Sequence, residues 1–480
     1  TLLKQAPKYT IPVYFSLASE ECLLSSIACE KRDKFLEFGP LLEETALQED
    51  WMLARLSNLW MDCSYSNSQT KHDIKKHLNI ALQKWMLNKG IKLPPLPTNR
   101  PQSERPTILV ALERFTSIHA MFRCYAPSIK QLRDNFKLVL MAMPNTIDEE
   151  SRKLFDEVIE VKETSNIKSL LDEVLTLKPD MLYFPSLGMS DWTLLLANLR
   201  LAPIQWMTLG HPATSHSPFI DYCLMQEGIY SSEVDCFSEK VILMDNASAS
   251  QMIAPQGTIT CPPDICHHPS PLRIAITSSP LKLNAAFMAV CQQIWQQSEK
   301  AIEFHFFINR HGIVFQKVKQ RIYEWLPAAK LHSGADYNTY IANLNQCDIH
   351  LSPFPFGGTN SNIDSMKQGI PIVVLEGHEP HARTDSLLLR LSNLPKWLLT
   401  DSQEEYVQAA LRLINDDAER VAISEALLTQ DFARLFLDHE YQHHDKVFGK
   451  TITWLYQFHE AIQKEGRKVW TVEAQQEFLA

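Results

Sequence analysis

Cys347-Asp-Ile-His-Leu-Ser-Pro-Phe-Pro-Phe-Gly-Gly-Thr-Asn-Ser-Asn-Ile-Asp364 reads as a strand, a glycine turn and a helix in succession. The apolar run carries a strand to about Ser352, and the prolines after it end the ladder. Gly357 and Gly358 let the backbone approach a ligand closely, and Thr359 or Asn360 is a good cap for the helix that follows. A helix that begins there presents free amide groups and a positive dipole end, which suits a phosphate. Asp364 lies one turn further in, where a carboxylate can accept sugar hydroxyls. The same residues also fit an ordinary capped helix, so the stretch fixes a strand–turn–helix unit before it fixes a ligand.

Outward from it, the pattern repeats. RIAITSS (273–279), EFHFFIN (303–309) and PIVVLE (371–376) are short buried-type strands separated by helical segments. Upstream, TILVAL (107–112), KLVLMAM (137–143), MLYFPS (181–186) and PIQWMTLG (203–210) do the same. Short apolar strands alternating with helices specify parallel sheets covered on both faces. A proline-rich break at 254–272 separates the two series, so the expected architecture is α/β, with two Rossmann-like halves facing across a cleft. Residues 1–100 are rich in Leu, Glu, Lys, Trp and Met at helical spacing and end in the proline-rich connector 92–106. The expected units are an all-α domain (1–100), a first half (107–265) and a second half (266–480) ending in a long helix able to pack back across both.

The 480 residues are 45% hydrophobic, enough for large cores, and carry a net charge of −10. That charge argues against nucleic acid or an anionic membrane as partner. No apolar run is long enough to span a membrane, and ten scattered cysteines suit reduced thiols in a cytoplasmic protein. The first residues lack the pattern of a signal peptide.

Other candidate residues sit at strand ends, where open α/β sheets bind ligands. After Ile274-Ala-Ile-Thr-Ser, Ser278 and Ser279 offer hydroxyls and Lys282 a mobile charge, fit to clamp a diphosphate. The chain contains no Asp-x-Asp triplet of the kind that holds a metal–diphosphate. In the first half, His211 and His216 follow the strand ending at Gly210, and His119 and Arg123 follow the first strand. Histidines there can act as general bases near neutral pH. Cys261-Pro-Pro-Asp-Ile-Cys266-His267-His268 reads as a stiff linker rather than a zinc site. His439-Glu-Tyr-Gln-His443 matches the H-E-x-x-H of zinc peptidases, with Glu460 as a third ligand, but its polar neighbours do not suit a buried catalytic helix. Asn246-Ala-Ser248 reads as a chance sequon on a loop. A non-catalytic interaction protein that keeps such a shell is a further alternative.

The runs APIQWMTLGHPATSH, TSSPLKLN and NQCDIHLSPFPFGGTNSNID resemble the bacterial cytoplasmic N-glycosyltransferases that modify high-molecular-weight adhesins, distant relatives of O-GlcNAc transferase. The resemblance covers about residues 107–450. It implies a GT-B fold and inverting, metal-independent transfer of a hexose, glucose first, from UDP-hexose to Asn in Asn-x-Ser/Thr of a protein, plausibly an adhesin or autotransporter. UDP-hexose is then a substrate, and no cofactor or metal is expected. The candidate catalytic residues are His211, which the resemblance puts near the reacting centre, Lys282, which it puts against the diphosphate, and His119, read from its place at a strand end. UDP is expected against Ser279, Lys282, His332, Gly358, Thr359, Asn360 and Asp364, of which Gly358 and Thr359 are read from the glycine turn itself. His332-Ser-Gly-Ala-Asp336 carries one histidine fewer than the family pattern. O-linked transfer from UDP-GlcNAc and the zinc peptidase are the alternatives.

Overall fold

The computed structural model describes residues 2–21, 23–44, 47, 49–92, 105–162, 166–246, 261–432, 435 and 446–479. The first sheet contains β1 (Thr107–Leu112), β2 (Lys137–Ala142), β3 (Glu157–Glu160), β4 (Met181–Phe184), β5 (Ile204–Met207), β6 (Tyr222–Gln226) and β7 (Lys240–Met244). The second contains β8 (Leu272–Thr277), β9 (Ile302–Phe307), β10 (Lys330–His332), β11 (Ile349–Leu351), β12 (Ile372–Leu375) and β13 (Leu399–Thr400). A last strand, β14 (Val469–Trp470), follows the helix Val447–Lys464. The strand orders are β14-β7-β6-β5-β4-β1-β2-β3 and β10-β9-β8-β11-β12-β13, and all pairs are parallel. Two doubly wound sheets after a helical region make the GT-B arrangement.

Each sheet reverses its winding beside its first strand, between β1 and β4 and between β8 and β11. Crevices open at such points. The first is filled from within: Glu113, just past β1, accepts from Ser186 Oγ (2.7 Å), Thr193 Oγ1 (2.5 Å) and the amides of Gly188 (3.0 Å) and Ser190 (2.9 Å). The second is open, and the Ser278–Ser279 loop and the 352–359 loop border it.

Two features of the packing join the expected units to one another. The helical region has no separate core: Leu56, Trp60, Leu78 and Trp85 share one apolar cluster with Leu109, Leu182 and Trp192 of the first half. The chain's last segment also returns to the first half, as the long helix expected at its end is able to do. Phe448, Ile452, Leu455 and Ile462 bury one face of the final long helix among Ile129, Leu132, Tyr183 and Trp206, and β14 pairs with β7. An amphipathic helix must bury its apolar stripe, and the exposed flank of the first sheet offers the surface. No described helix is long and apolar enough to cross a membrane.

Candidate active site

Two cavities meet at Lys282. The smaller, about 320 Å³, is lined by Ser278, Ser279, Lys282, His332, Asn360 and Asp364, among others. The larger, about 360 Å³, is lined by Tyr65, Met121, His211, Lys282, Phe356 and Asn360 among others, and so draws walls from all three parts of the chain.

Local rules place the smaller cavity's residues. Asn284 caps the helix Ala285–Gln297 through the Phe287 amide (3.1 Å), and its Nδ2 donates to the Phe354 carbonyl (2.6 Å), tying together the two loops at the crevice. Beneath them His350, wholly buried in β11, joins Thr277 Oγ1 (3.0 Å) and Ser365 Oγ (3.0 Å); burial pushes its pKa down to about 3. The His332 ring stacks on Phe307, with centroids 4.4 Å apart and planes 7° apart, and makes a flat aromatic wall. Its Nε2 lies 3.0 Å from His305 Nδ1, and His305 Nε2 lies 2.7 Å from Glu303 Oε1. Asp364 accepts from the Tyr337 hydroxyl (2.7 Å); burial raises its pKa, opposed by Tyr337 and by the charges of Arg123 and Lys367. Arg123 reaches this cavity from the first half's helix Ala120–Leu132.

The glycine turn differs from its expected form. The Asp385 carboxylate, in the first turn of the helix Thr384–Leu391, accepts from the amides of Gly358 (2.9 Å) and Thr359 (2.8 Å) and from Ser352 Oγ (2.6 Å). Those amides are therefore not free for a phosphate, and Gly358 and Thr359 line the larger cavity rather than the smaller. Asn360, the first residue of the helix, borders both cavities. Gly357 has no room for a side chain, since a Cβ there would collide with the Asp385 carboxylate. Thr359 is held at φ 26°, a strained value for a β-branched residue, by the same bonds. Half-buried Lys282 donates to the Gly357 carbonyl, and its Nζ lies 5.0 Å from the centre of the Phe356 ring. Burial lowers its pKa and the Asp385 charge opposes this. Nothing in the local spacing links Asp385 to the turn; its one signal is a carboxylate beside the run Leu387-Leu-Leu389.

The expected histidines separate. His211 is buried at the wall of the larger cavity, with Nε2 2.9 Å from Ser64 Oγ, and burial with nearby Lys75, His72 and His381 drives its pKa well down. His119 lines neither cavity. It is the N-cap of the helix Ala120–Leu132, and its Nδ1 accepts from the Met121 amide (3.2 Å). His216 also lines neither cavity, and burial lowers its pKa to about 4. His439 and His443 lie outside the described residues, as do Ala247 and Ser248. Among the described residues no group of three His, Cys, Asp or Glu side chains is placed to hold a metal ion. In the 261–268 stretch, Asn345 Nδ2 donates to the Pro262 carbonyl (2.6 Å), and Cys266 is exposed.

Comparison with known proteins bears on the family and the fold. Residues 1–86 match the family described as HMW1 domain 2. Over 434 residues the chain is 30% identical to a UDP-glucose:protein N-beta-glucosyltransferase of Actinobacillus pleuropneumoniae serotype 5b, covering 88% of this chain and 69% of that protein. It is 23% identical to a probable UDP-N-acetylglucosamine–peptide N-acetylglucosaminyltransferase SPINDLY of Petunia hybrida, over 45% of this chain and 24% of that one. Among solved structures, a mutant O-GlcNAc transferase of Thermobaculum terrenum superposes with a TM-score of 0.69 at 16% identity. That match covers 96% of this chain and 86% of the other, and is a likeness of fold.

Proposed function

This chain belongs to the family of bacterial UDP-glucose:protein N-beta-glucosyltransferases, and on that footing we propose that it moves glucose, with inversion and without a metal, onto Asn in Asn-x-Ser/Thr of a protein acceptor. An adhesin or autotransporter modified in the cytoplasm is the acceptor this reading favours. The observation that carries the reading is the position of Lys282, which borders both the smaller cavity and the larger one. In this reading uridine lies against the Phe307–His332 wall with its ribose at Asp364. The diphosphate lies at Lys282, Ser279 and Asn360, and the sugar enters the larger cavity.

The acceptor nitrogen attacks the anomeric carbon from the side opposite UDP. The N–C1 bond forms as the C1–O bond breaks, and the electron pair leaves on the β-phosphate oxygen. The Lys282 ammonium neutralises that developing charge, and Arg123 adds a second positive charge from the facing half. An amide nitrogen is poorly basic because its lone pair is delocalised. Its proton must leave as the new bond forms, and His211, held neutral by burial, is the base this reading assigns.

Incubation with UDP-glucose and an Asn-x-Thr peptide, with and without EDTA, tests the reading by peptide mass spectrometry. A hexose on Asn that survives EDTA and is lost in Lys282→Ala supports it. An increment on Ser or Thr, or with UDP-GlcNAc alone, moves the enzyme to the O-linked alternative. Activity abolished by EDTA removes the metal-free mechanism.

A further inference from the structure

The loop that carries His211 is gripped by the helical domain rather than by its own sheet alone. Lys75 and Asn79, on the helix Asp73–Asn88, donate to the carbonyls of Thr214 (3.0 Å) and Ser215 (3.0 Å). Lys75 is wholly buried, with its Nζ 3.8 Å from the centre of the Trp60 ring. From the other side Glu239 accepts from Thr214 Oγ1 (2.7 Å) and the Ser215 amide (2.8 Å).

A buried polar chain runs through the same interface. His211 Nε2 meets Ser64 Oγ at 2.9 Å, and Ser64 Oγ meets His72 Nε2 at 3.0 Å. His72 Nδ1 lies 3.3 Å from Glu379 Oε1, and the other Glu379 oxygen pairs with Lys71. Ser64, His72 and Lys71 belong to the helical domain, Glu379 to the second half and His211 to the first. Ser64 is wholly buried and His72 and His211 nearly so, so water is not an easy substitute for any link.

Proton directions follow from the carboxylate outward. The Glu379 carboxylate, 3.3 Å from His72 Nδ1, only accepts, which favours the hydrogen on that nitrogen. Burial beside Lys71 and Lys75 keeps His72 neutral, so its Nε2 must accept. Ser64 then donates to His72 and accepts from His211, which places the His211 proton on Nε2. No described residue hydrogen-bonds His211 Nδ1. We propose that Ser64, His72 and Glu379 are positioning residues that fix the tautomer and orientation of His211 and leave Nδ1 to take the acceptor's proton. The helical domain is thereby part of the catalytic apparatus. The inference rests on the reading of His211 as base given above. The charged and titratable groups around His211 are Lys75 and His72 from the helical domain and His381 from the second half, with Glu379 behind them.

The test uses the full chain with UDP-glucose and an Asn-x-Thr peptide, and compares Ser64→Ala, Ser64→Thr, His72→Gln and His211→Asn. Each is assayed for kcat against pH, donor KM and UDP affinity by calorimetry. A lost orienting link should lower kcat about 10- to 100-fold in Ser64→Ala and His72→Gln, with donor KM and UDP affinity within about twofold. The acid limb of the kcat profile should move in both variants, and Ser64→Thr, which keeps the hydroxyl, should restore most of the rate. If His211→Asn is inactive while Ser64→Ala and His72→Gln match the native enzyme, the relay is overturned and the base stands. If His211→Asn itself keeps its rate, the base assignment falls and the relay with it. Parallel losses of kcat and UDP affinity in Ser64→Ala would reveal a structural link and overturn the proposal.

Discussion

The Asp385 carboxylate accepts from the Thr359 amide at 2.8 Å, and in doing so it occupies the helix start that the glycine turn otherwise offers to an anion. The turn is shaped by an internal carboxylate, and the positive charge beside it comes from Lys282. Asp385→Ala leaves two amides and a hydroxyl unpaired in a half-buried loop. It should cost about 2–4 kcal/mol of stability. UDP affinity should fall at least about tenfold, since the cradle is lost with the anchor. Denaturant unfolding and calorimetry read both. Tighter UDP binding in this variant would mean that Asp385 competes with the phosphates rather than shaping their site.

Gly357→Ala puts a methyl group against that carboxylate. The turn must shift, carrying with it the Gly357 carbonyl that Lys282 holds. Misplacing Lys282 by about 1 Å should lower kcat about 100-fold. A Cβ added at Gly466, by contrast, meets nothing, so Gly466→Ala serves as the control of an added methyl in open space. Parallel transfer assays compare the two.

Lys282 also sets an alkaline limit. Burial lowers its pKa from the ordinary 10.5, so its charge is lost at a lower pH than that of an exposed lysine. Activity that needs the ammonium is then present at neutral pH and falls as pH rises through this lowered value. A bound diphosphate raises it again, so the limb should lie at lower pH in kcat/KM than in kcat. Lys282→Met should lower kcat about 10²- to 10³-fold and erase the limb.

Buried neutral histidines make the fold sensitive to acid. The pKa values of His350 and His381 are held at about 3 by burial, below the unfolded value near 6.5. The unfolded chain therefore binds more protons below pH 6.5. The stability these groups contribute is present above that pH and is lost as pH falls toward 3, at about 1.4 kcal/mol per pH unit for each group. Urea midpoints between pH 7.5 and 5 should show the decline. His350→Gln should flatten the slope by one proton while lowering stability at pH 7.5.

The return of the last helix to the first half has a stability cost of its own. Ile452 is fully buried between the two, and Ile452→Ala should cost about 2–4 kcal/mol. Chemical denaturation followed by tryptophan fluorescence checks this, because Trp206 and Trp454 lie in the same cluster.

The alternation of strands and helices, the helical character of the first hundred residues, the glycine turn and the candidate residues Ser279, Lys282, His332, Asn360, Asp364 and His211 were all legible in the sequence. Each rests on local periodicity or on one residue's chemistry at a strand end, except His332, which the family resemblance supplied. Which of them act together was decided by the tertiary structure. His211 finds Ser64 across 147 residues, and Lys71 finds Glu379 across 308. Asp385 claims amides 26 and 27 positions away, and His119 turns to cap its own helix. The final helix settles on the first sheet, where its apolar face is buried. Periodicity and propensity act over a few residues, whereas a buried polar atom takes whichever partner the packed fold brings within 3 Å.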